Sequence, residues 1–378
     1  MIFFLYNSYV PDSAHTNRAL AYIRSFEKMK IPLTVIYFLP DSKKNKISDI
    51  FQNVFVKYYW ENFYINHHIF KYVSYYLYLW HLKRRLKRGD VVYIYGSNDI
   101  AHFILKKKGI KVFLEQTECP EVSMSVSRLY HPTLAQHFEL CKKLDGLVVI
   151  SNQLKTYYHL HGIKKERIHI VNMTVDKARF ENLHKNTDIN RYIVYCGTVS
   201  NNKDGVNYLI EAFASVVKIY SDIRLYIIGN SPSPLDSSEN IRLIEKLGIK
   251  DSVVFTGRLS SEQIPQILKN AHILALARPD NIQSKYGFPT KLGEYLLSEN
   301  PVVVTDVGDI SIYLKNKVNS IVVPPNNSAL FAEGLLWVLD NPEKSIILGK
   351  KGKELALTSF NAEVESKKLL NILRGYND

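Results

Sequence analysis

The sequence predicts an α/β protein made of two doubly wound domains, and three observations carry that reading. The chain has 378 residues, more than one hydrophobic core usually supports and enough for two domains of roughly 180 residues each. Short β-rich runs alternate with helical stretches, the order that builds a parallel sheet. After a polar stretch at 176–190 the same alternation starts again. The expected organisation is an N-terminal domain over 1–180, a C-terminal domain over 190–357 and a closing helical segment over 358–378. Hydrophobic residues make up 46% of the chain, and no low-complexity tract or fixed-period repeat interrupts them, so both halves can bury a core.

The first strand is expected over 1–6, where an apolar run meets the polar turn Asn7-Ser8 at once, too short and too uncharged for a signal peptide. Further strands of the first domain are expected over 33–38, 91–95, 110–115 and 146–150. The second domain begins with Tyr192-Ile193-Val194-Tyr195-Cys196-Gly197 and continues with strands over 223–228, 252–255, 272–276, 301–304 and 320–323. Ligands of such sheets bind at the carboxyl ends of the strands. Residues 66–88 read as an aromatic helix in which Tyr72, Tyr75, Tyr76, Leu79, Leu82 and Leu86 share one face before the basic run Lys83 to Arg88. That pattern fits either core packing with a dipole-matched cationic end or contact with a membrane surface.

The net charge of +13 is confined to one half: residues 1–180 hold 27 Lys and Arg against 14 Asp and Glu, whereas 181–378 hold 22 of each sign. A field of that kind points to a polyanionic partner for the first half, anionic lipid or nucleic acid. No recognised nucleic-acid motif accompanies it, so a membrane surface is the expected partner. No apolar run approaches the roughly 20 residues that span a bilayer, and Cys119, Cys141 and Cys196 show no paired spacing. The expected setting is the cytoplasm, with peripheral association at the inner face of the membrane. His131, His159 and His161 lack ligand spacing, and there is no DxD sequence, so no metal site is expected.

The most informative stretch runs from Tyr286 to Thr305. A loop, Tyr286-Gly287-Phe288-Pro289-Thr290, enters a helix at Lys291-Leu292-Gly293-Glu294 that ends before a buried strand. Gly287 allows close backbone approach to a ligand, Pro289 and Thr290 suit a first helical turn, and Glu294 is placed to accept hydrogen bonds from ribose hydroxyls. A second stretch, Gly197-Thr198-Val199-Ser200-Asn201-Asn202-Lys203-Asp204-Gly205, is a small polar loop between a strand and a helix. Gly257-Arg258 closes another strand.

Together these residues resemble the donor site of family-4 glycosyltransferases. The likeness covers most of 190–375 and weakens toward the N-terminus. It implies the GT-B fold, two Rossmann-like domains facing a central cleft, with the segment after Phe360 crossing back to brace the N-terminal domain. It also implies transfer of a sugar, with retention of configuration, from a UDP- or GDP-type nucleotide sugar. Without a carboxylate cluster or DxD sequence the transfer is expected to be metal-independent, and the basic half with its aromatic helix points to a saccharide or lipid-linked acceptor. No other cofactor is implied. By the same resemblance Lys203 stabilises the departing diphosphate, Arg258 supplements it, and Glu294 binds the ribose. Gly197, Thr198, Tyr286, Gly287, Phe288, Pro289, Thr290 and Lys291 line the donor. Two departures stand out: Tyr286 replaces the first Glu of the family pattern, and Thr198 stands where many relatives carry Arg. Lys291 is one cation able to replace the latter. In the first half, Glu118 follows a strand end and is the candidate for orienting the reacting groups, while His15, Asn17 and Arg18 follow the first strand as candidate acceptor contacts. Three other classes stay open at this point: a sugar-nucleotide epimerase, a nucleic-acid-binding protein using the basic half, and a catalytically silent nucleotide-sugar-binding relative.

Overall fold

The computed structural model describes residues 1–11, 13–39, 47, 51–58, 68–123, 132–186 and 190–375. Contacts divide the chain into one unit of Met1–Asn172 with Ala362–Asp378 and a second of Met173–Asn361.

The first unit is built on seven parallel strands: β1 (Ile2–Ser8), β2 (Leu33–Leu39), β3 (Val54–Tyr58), β4 (Val91–Tyr95), β5 (Lys111–Gln116), β6 (Gly146–Val149) and β7 (Ile168–Ile170), in the order β3-β2-β1-β4-β5-β6-β7. The strands β3 and β7 add to those read from the sequence. The edge strand β3 leaves Phe55 exposed and carries Lys57, so it shows no continuous apolar run, and β7 is only three residues long. The second unit has six parallel strands: β8 (Tyr192–Cys196), β9 (Arg224–Ile228), β10 (Val253–Gly257), β11 (Ile273–Leu276), β12 (Val302–Thr305) and β13 (Ile321–Val323), in the order β10-β9-β8-β11-β12-β13. In each sheet the order reverses beside the first strand of the unit, which places a topological switch point at the carboxyl ends of β1/β4 and of β8/β11.

Both chain crossings are anchored to the first unit. The helix Ala14–Lys28 starts from Ser13, whose side chain accepts from the Thr16 amide. One turn in, Arg18 is 3% exposed and pairs with Glu115 at 2.6 Å. Its guanidinium also donates to the carbonyls of Val171 (2.8 Å) and Asn172 (2.5 Å). Burial pushes the Glu115 carboxyl upward, against the pull of Arg18. Glu365 accepts from the Asn172 amide at 2.6 Å, and the helix Ala362–Arg374 packs on Ala14–Lys28 with Leu369, Leu370 and Leu373 in the core of this unit. The break falls at 172/173, earlier than the 180 drawn from composition, because Val175 already belongs to the second unit, where its amide donates to the Phe360 carbonyl at 2.9 Å.

The aromatic helix spans His68–Arg85, with Tyr75, Leu79, Leu82 and the following Leu86 buried. Tyr76, expected on the same face, instead points outward with Val73, Leu77 and Trp80; the Tyr72 side chain, residues 66–67 and His131 lie outside the described residues. No helix among the described residues is long and apolar enough to cross a membrane.

Two predictions follow from these buried polar groups. Arg18→Ala strands Glu115 in the core and is expected to cost about 3–5 kcal/mol, with joint replacement by Met and Leu much milder; urea unfolding measures both, and a loss below ~1 kcal/mol for the alanine variant would show that the pair does not hold the unit. His137 is buried, hydrogen-bonded to Asn98 (3.2 Å) and to the Tyr158 hydroxyl (2.9 Å), and burial pushes it down from 6.5 to about 4. Because the folded pKa is the lower one, its stabilisation is complete above the unfolded value and is lost as pH falls from about 6.5 through about 4. His137→Gln is therefore expected to flatten the decline of melting temperature across that window.

Candidate active site

Strand β8 ends at Cys196, and the chain then turns through Gly197 into the short helix Asn201–Asp204, capped by the Ser200 hydroxyl on the Lys203 amide at 3.3 Å. Gly205 terminates it at φ +63°, and a Cβ there would strike the Ala277 carbonyl, so only glycine fits. This turn places Asp204, 2% exposed, at the centre of an ionic cluster. Lys291 donates to Asp204 Oδ2 at 2.6 Å and to the Tyr195 hydroxyl at 3.0 Å. The Tyr195 hydroxyl lies 2.7 Å from the same carboxylate oxygen and also bonds the Thr198 carbonyl. Arg278, which follows β11, has Nε 3.7 Å from Asp204 Oδ1 and donates to the Lys203 carbonyl at 3.3 Å. Burial alone would raise the Asp204 carboxyl; Lys291 and Arg278 outweigh it and hold the group below its ordinary value. Burial also pushes the Lys291 ammonium down, against the pull of Asp204. Two cations thus share one carboxylate beside the loop at Gly197, an arrangement suited to an anionic ligand.

The loop before Lys291 is tied to the same turn. Asn281 caps the helix Ile282–Tyr286 by accepting from the Ser284 amide, and its side-chain amide donates to the Asn202 carbonyl at 2.6 Å. Two sequence expectations change here. The Gly287 amide is already bonded to the Gln283 carbonyl at 3.0 Å rather than turned toward a ligand. Phe288 is 7% exposed and packs on Tyr313 and Phe360, so its side chain serves the core. Pro289 is buried and its carbonyl accepts from the Leu292 amide, whereas Thr290 and Tyr286 stay partly open, the Tyr286 ring lying under the Lys285 ammonium. Lys203 is partly buried; Thr198 and Arg258 are exposed. Glu294 sits in the first turn of the helix Lys291–Leu297 and forms an ion pair with Arg179. Tyr295 anchors that helix to β8 by accepting from the Cys196 amide at 2.7 Å.

In the first unit, Arg18 is corrected outright: its donors are committed to Glu115, Val171 and Asn172 in the core, so it does not face an acceptor phosphate. Asn17 is exposed, His15 lies near the Tyr95 ring (centroids 6.3 Å apart), and Glu118 is partly exposed just past β5. Among the described residues no three His, Cys, Asp or Glu side chains converge as a metal site needs. Sequence reasoning passed over Tyr195, Asp204, Arg278 and Arg179. A charged residue directly after an apolar strand, as in Leu276-Ala277-Arg278, was the available signal for one of them.

Residues 190–341 match the family model described as Glycosyl transferases group 1. The alpha-D-kanosaminyltransferase of Streptomyces kanamyceticus is 27% identical over 186 residues, 48% of this chain and 45% of that protein. The MMP alpha-(1->4)-mannosyltransferase of Mycolicibacterium hassiacum is 25% identical over 203 residues, 53% and 46% of the two chains. The matched segment spans less than half the length of either relative. Among solved structures, Anabaena Alr3699/HepE in complex with UDP and glucose superposes with a TM-score of 0.74 at 16% identity over 99% of both chains. TarM does so with a TM-score of 0.75 at 12% identity over 98% of both. In fold the chain is a GT-B protein, and its second unit carries the segment that the group 1 glycosyltransferase model describes.

Proposed function

We propose that the chain is a retaining, metal-independent glycosyltransferase that moves a sugar from a nucleoside diphosphate sugar to a saccharide or lipid-linked acceptor. The observation that carries this reading is the cationic cluster at the end of β8, where Lys291 and Arg278 brace Asp204 and the turn that bears Lys203. In the reaction the bond from the anomeric carbon to the diphosphate oxygen breaks and the acceptor hydroxyl oxygen bonds that carbon on the same face. The hydroxyl proton passes to the departing phosphate oxygen. Negative charge grows on the diphosphate, so Lys203 and the cations behind it stabilise the transition state more than the ground state. Glu294, a helical turn away, accepts from the ribose. Tyr286 offers a hydroxyl to the sugar in place of a carboxylate, and Glu118 orients the reacting groups. UDP and glucose in the HepE structure support a UDP-type donor here.

The acceptor is proposed to be presented at the inner face of an anionic membrane, in the assembly of cell-surface polysaccharide or lipopolysaccharide. Support comes from the first unit, where Val73, Tyr76, Leu77 and Trp80 are exposed on one helix and Arg84 lies over the Trp80 ring at 4.5 Å. An apolar outer face flanked by cations suits the headgroup boundary of anionic lipid.

Calorimetry with UDP, GDP and ADP in the presence of a chelator is expected to give binding by one nucleotide, weakened about tenfold or more by Lys203→Ala and by Glu294→Ala, the scale of one hydrogen bond to a charged group. Binding of none of the three would overturn the donor-site reading. In flotation assays the protein is expected to rise with phosphatidylglycerol vesicles but not with phosphatidylcholine ones, and Leu77→Ser with Trp80→Ser to remove the difference. Equal activity on soluble and vesicle-borne acceptors, with no vesicle binding, would count against the membrane reading.

A further inference from the structure

We infer that Arg179 is a positioning residue of the donor site, which holds the Glu294 carboxylate in the orientation that receives the ribose hydroxyls. This rests on the donor-site reading above and adds to it a residue from outside the matched segment. The Arg179–Glu294 pair is neither buried nor freely solvated, the side chains being 25% and 23% exposed. A flexible surface pair would contribute little, but this guanidinium is fixed at a second point, where Nη2 donates to the Ser261 carbonyl at 2.6 Å. With both arms of a planar fork engaged, its orientation is set before any ligand arrives.

The backbone that delivers Arg179 is held equally firmly. It belongs to the 3₁₀ turn Lys177–Phe180, capped by Asp176, whose carboxylate accepts from the Ala178 amide at 3.0 Å. Just before it, the stretch from Met173 to Val175 lies against the helix of Glu294 at Gly293. A Cβ on that glycine would come within 3.0 Å of Val175 Cβ and 3.1 Å of Met173 Cε. The glycine next to Glu294 therefore lets the incoming chain lie close enough for Arg179 to reach the carboxylate. Burial pushes the Cys196 thiol at the end of β8 up to about 11, while Lys291 and Arg179 both pull it down. With one carboxylate oxygen committed to Arg179, the remaining lone pairs are oriented to accept from a diol.

The test compares UDP, GDP and ADP with their 2′-deoxy forms, using whichever nucleotide binds, on wild type, Glu294→Ala, Arg179→Ala and Arg179→Lys. In wild type, loss of the hydroxyl is expected to weaken binding by about tenfold. Glu294→Ala removes that penalty. Arg179→Ala is expected to shrink it to about twofold while leaving thermal stability within the range of a surface substitution, and Arg179→Lys to restore part of it. A structural role alone would lower the affinity for both nucleotides equally. If Arg179→Ala keeps the full penalty that Glu294→Ala removes, the inference falls and the donor site stands; if Glu294→Ala leaves affinity and penalty unchanged, the donor-site reading itself falls. Arg179→Gln, which keeps a donor for the Ser261 carbonyl, gives the same comparison should the alanine variant fail to fold.

Discussion

A carboxylate with 2% of its surface exposed has to be neutralised by groups that reach it, and at Asp204 those groups come from distant parts of the second unit. Lys291 arrives from the first turn of the helix Lys291–Leu297, and Arg278 from the end of β11. Together with the Asn281–Asn202 bond, these contacts bring together the loop after β8, the end of β11 and the segment around Tyr286. The glycines obey the same constraint. At Gly205 the left-handed turn brings the backbone under the Ala277 carbonyl, and at Gly197 a side chain would occupy the place of the Lys291 ammonium. Removing Asp204 would leave two buried cations facing each other, so the geometry of the whole cluster depends on this one charge.

Much of the fold was legible because a parallel strand buried on both faces is written as a continuous apolar run. The runs at β1, β4, β8 and β12 are of this type. The edge strand β3 leaves Phe55 exposed and carries a lysine, and β7 has three residues, so neither gave such a signal. In the candidate site, Lys203, Lys291 and Glu294 were legible as charged residues at the short helices beside glycine-bearing turns. Their partners were not, since Asp204 and Lys291 are 87 positions apart and Arg18 and Glu115 are 97 apart. Arg18 shows the cost of that blindness. A position after the first strand suggests a ligand contact, but a single glutamate on β5 draws the side chain into the core.

The first unit deploys its charge differently. Its basic excess is carried largely by exposed residues such as Arg84, Arg85, Lys87 and Arg88, beside a helix that keeps Tyr75, Leu79 and Leu82 for its own core. The outward residues Val73, Leu77 and Trp80 have no role in that core. A long-range field can draw a unit toward an anionic surface but holds it weakly in salt, whereas a small apolar face holds but does not steer. At the anionic surface proposed above the two properties would complement each other, and both lie on or just after the helix His68–Arg85.

Under the proposed function, the distribution of charge within the second unit would match the polarity of a nucleoside diphosphate. At one end, Glu294 is balanced by Arg179, giving a region with hydrogen-bonding capacity and no net charge. At the other, Lys291 and Arg278 share the single carboxylate of Asp204, and Lys203 sits on the same turn, giving a net positive region. A neutral diol and a charged diphosphate differ in the same sense. A ligand entering in the reverse orientation would leave its phosphates beside Glu294 and its hydroxyls beside unneutralised cations, each a desolvation cost without a compensating bond. In the donor site proposed above, orientation of the donor would therefore be set by where the carboxylates are placed as much as by where the cations are.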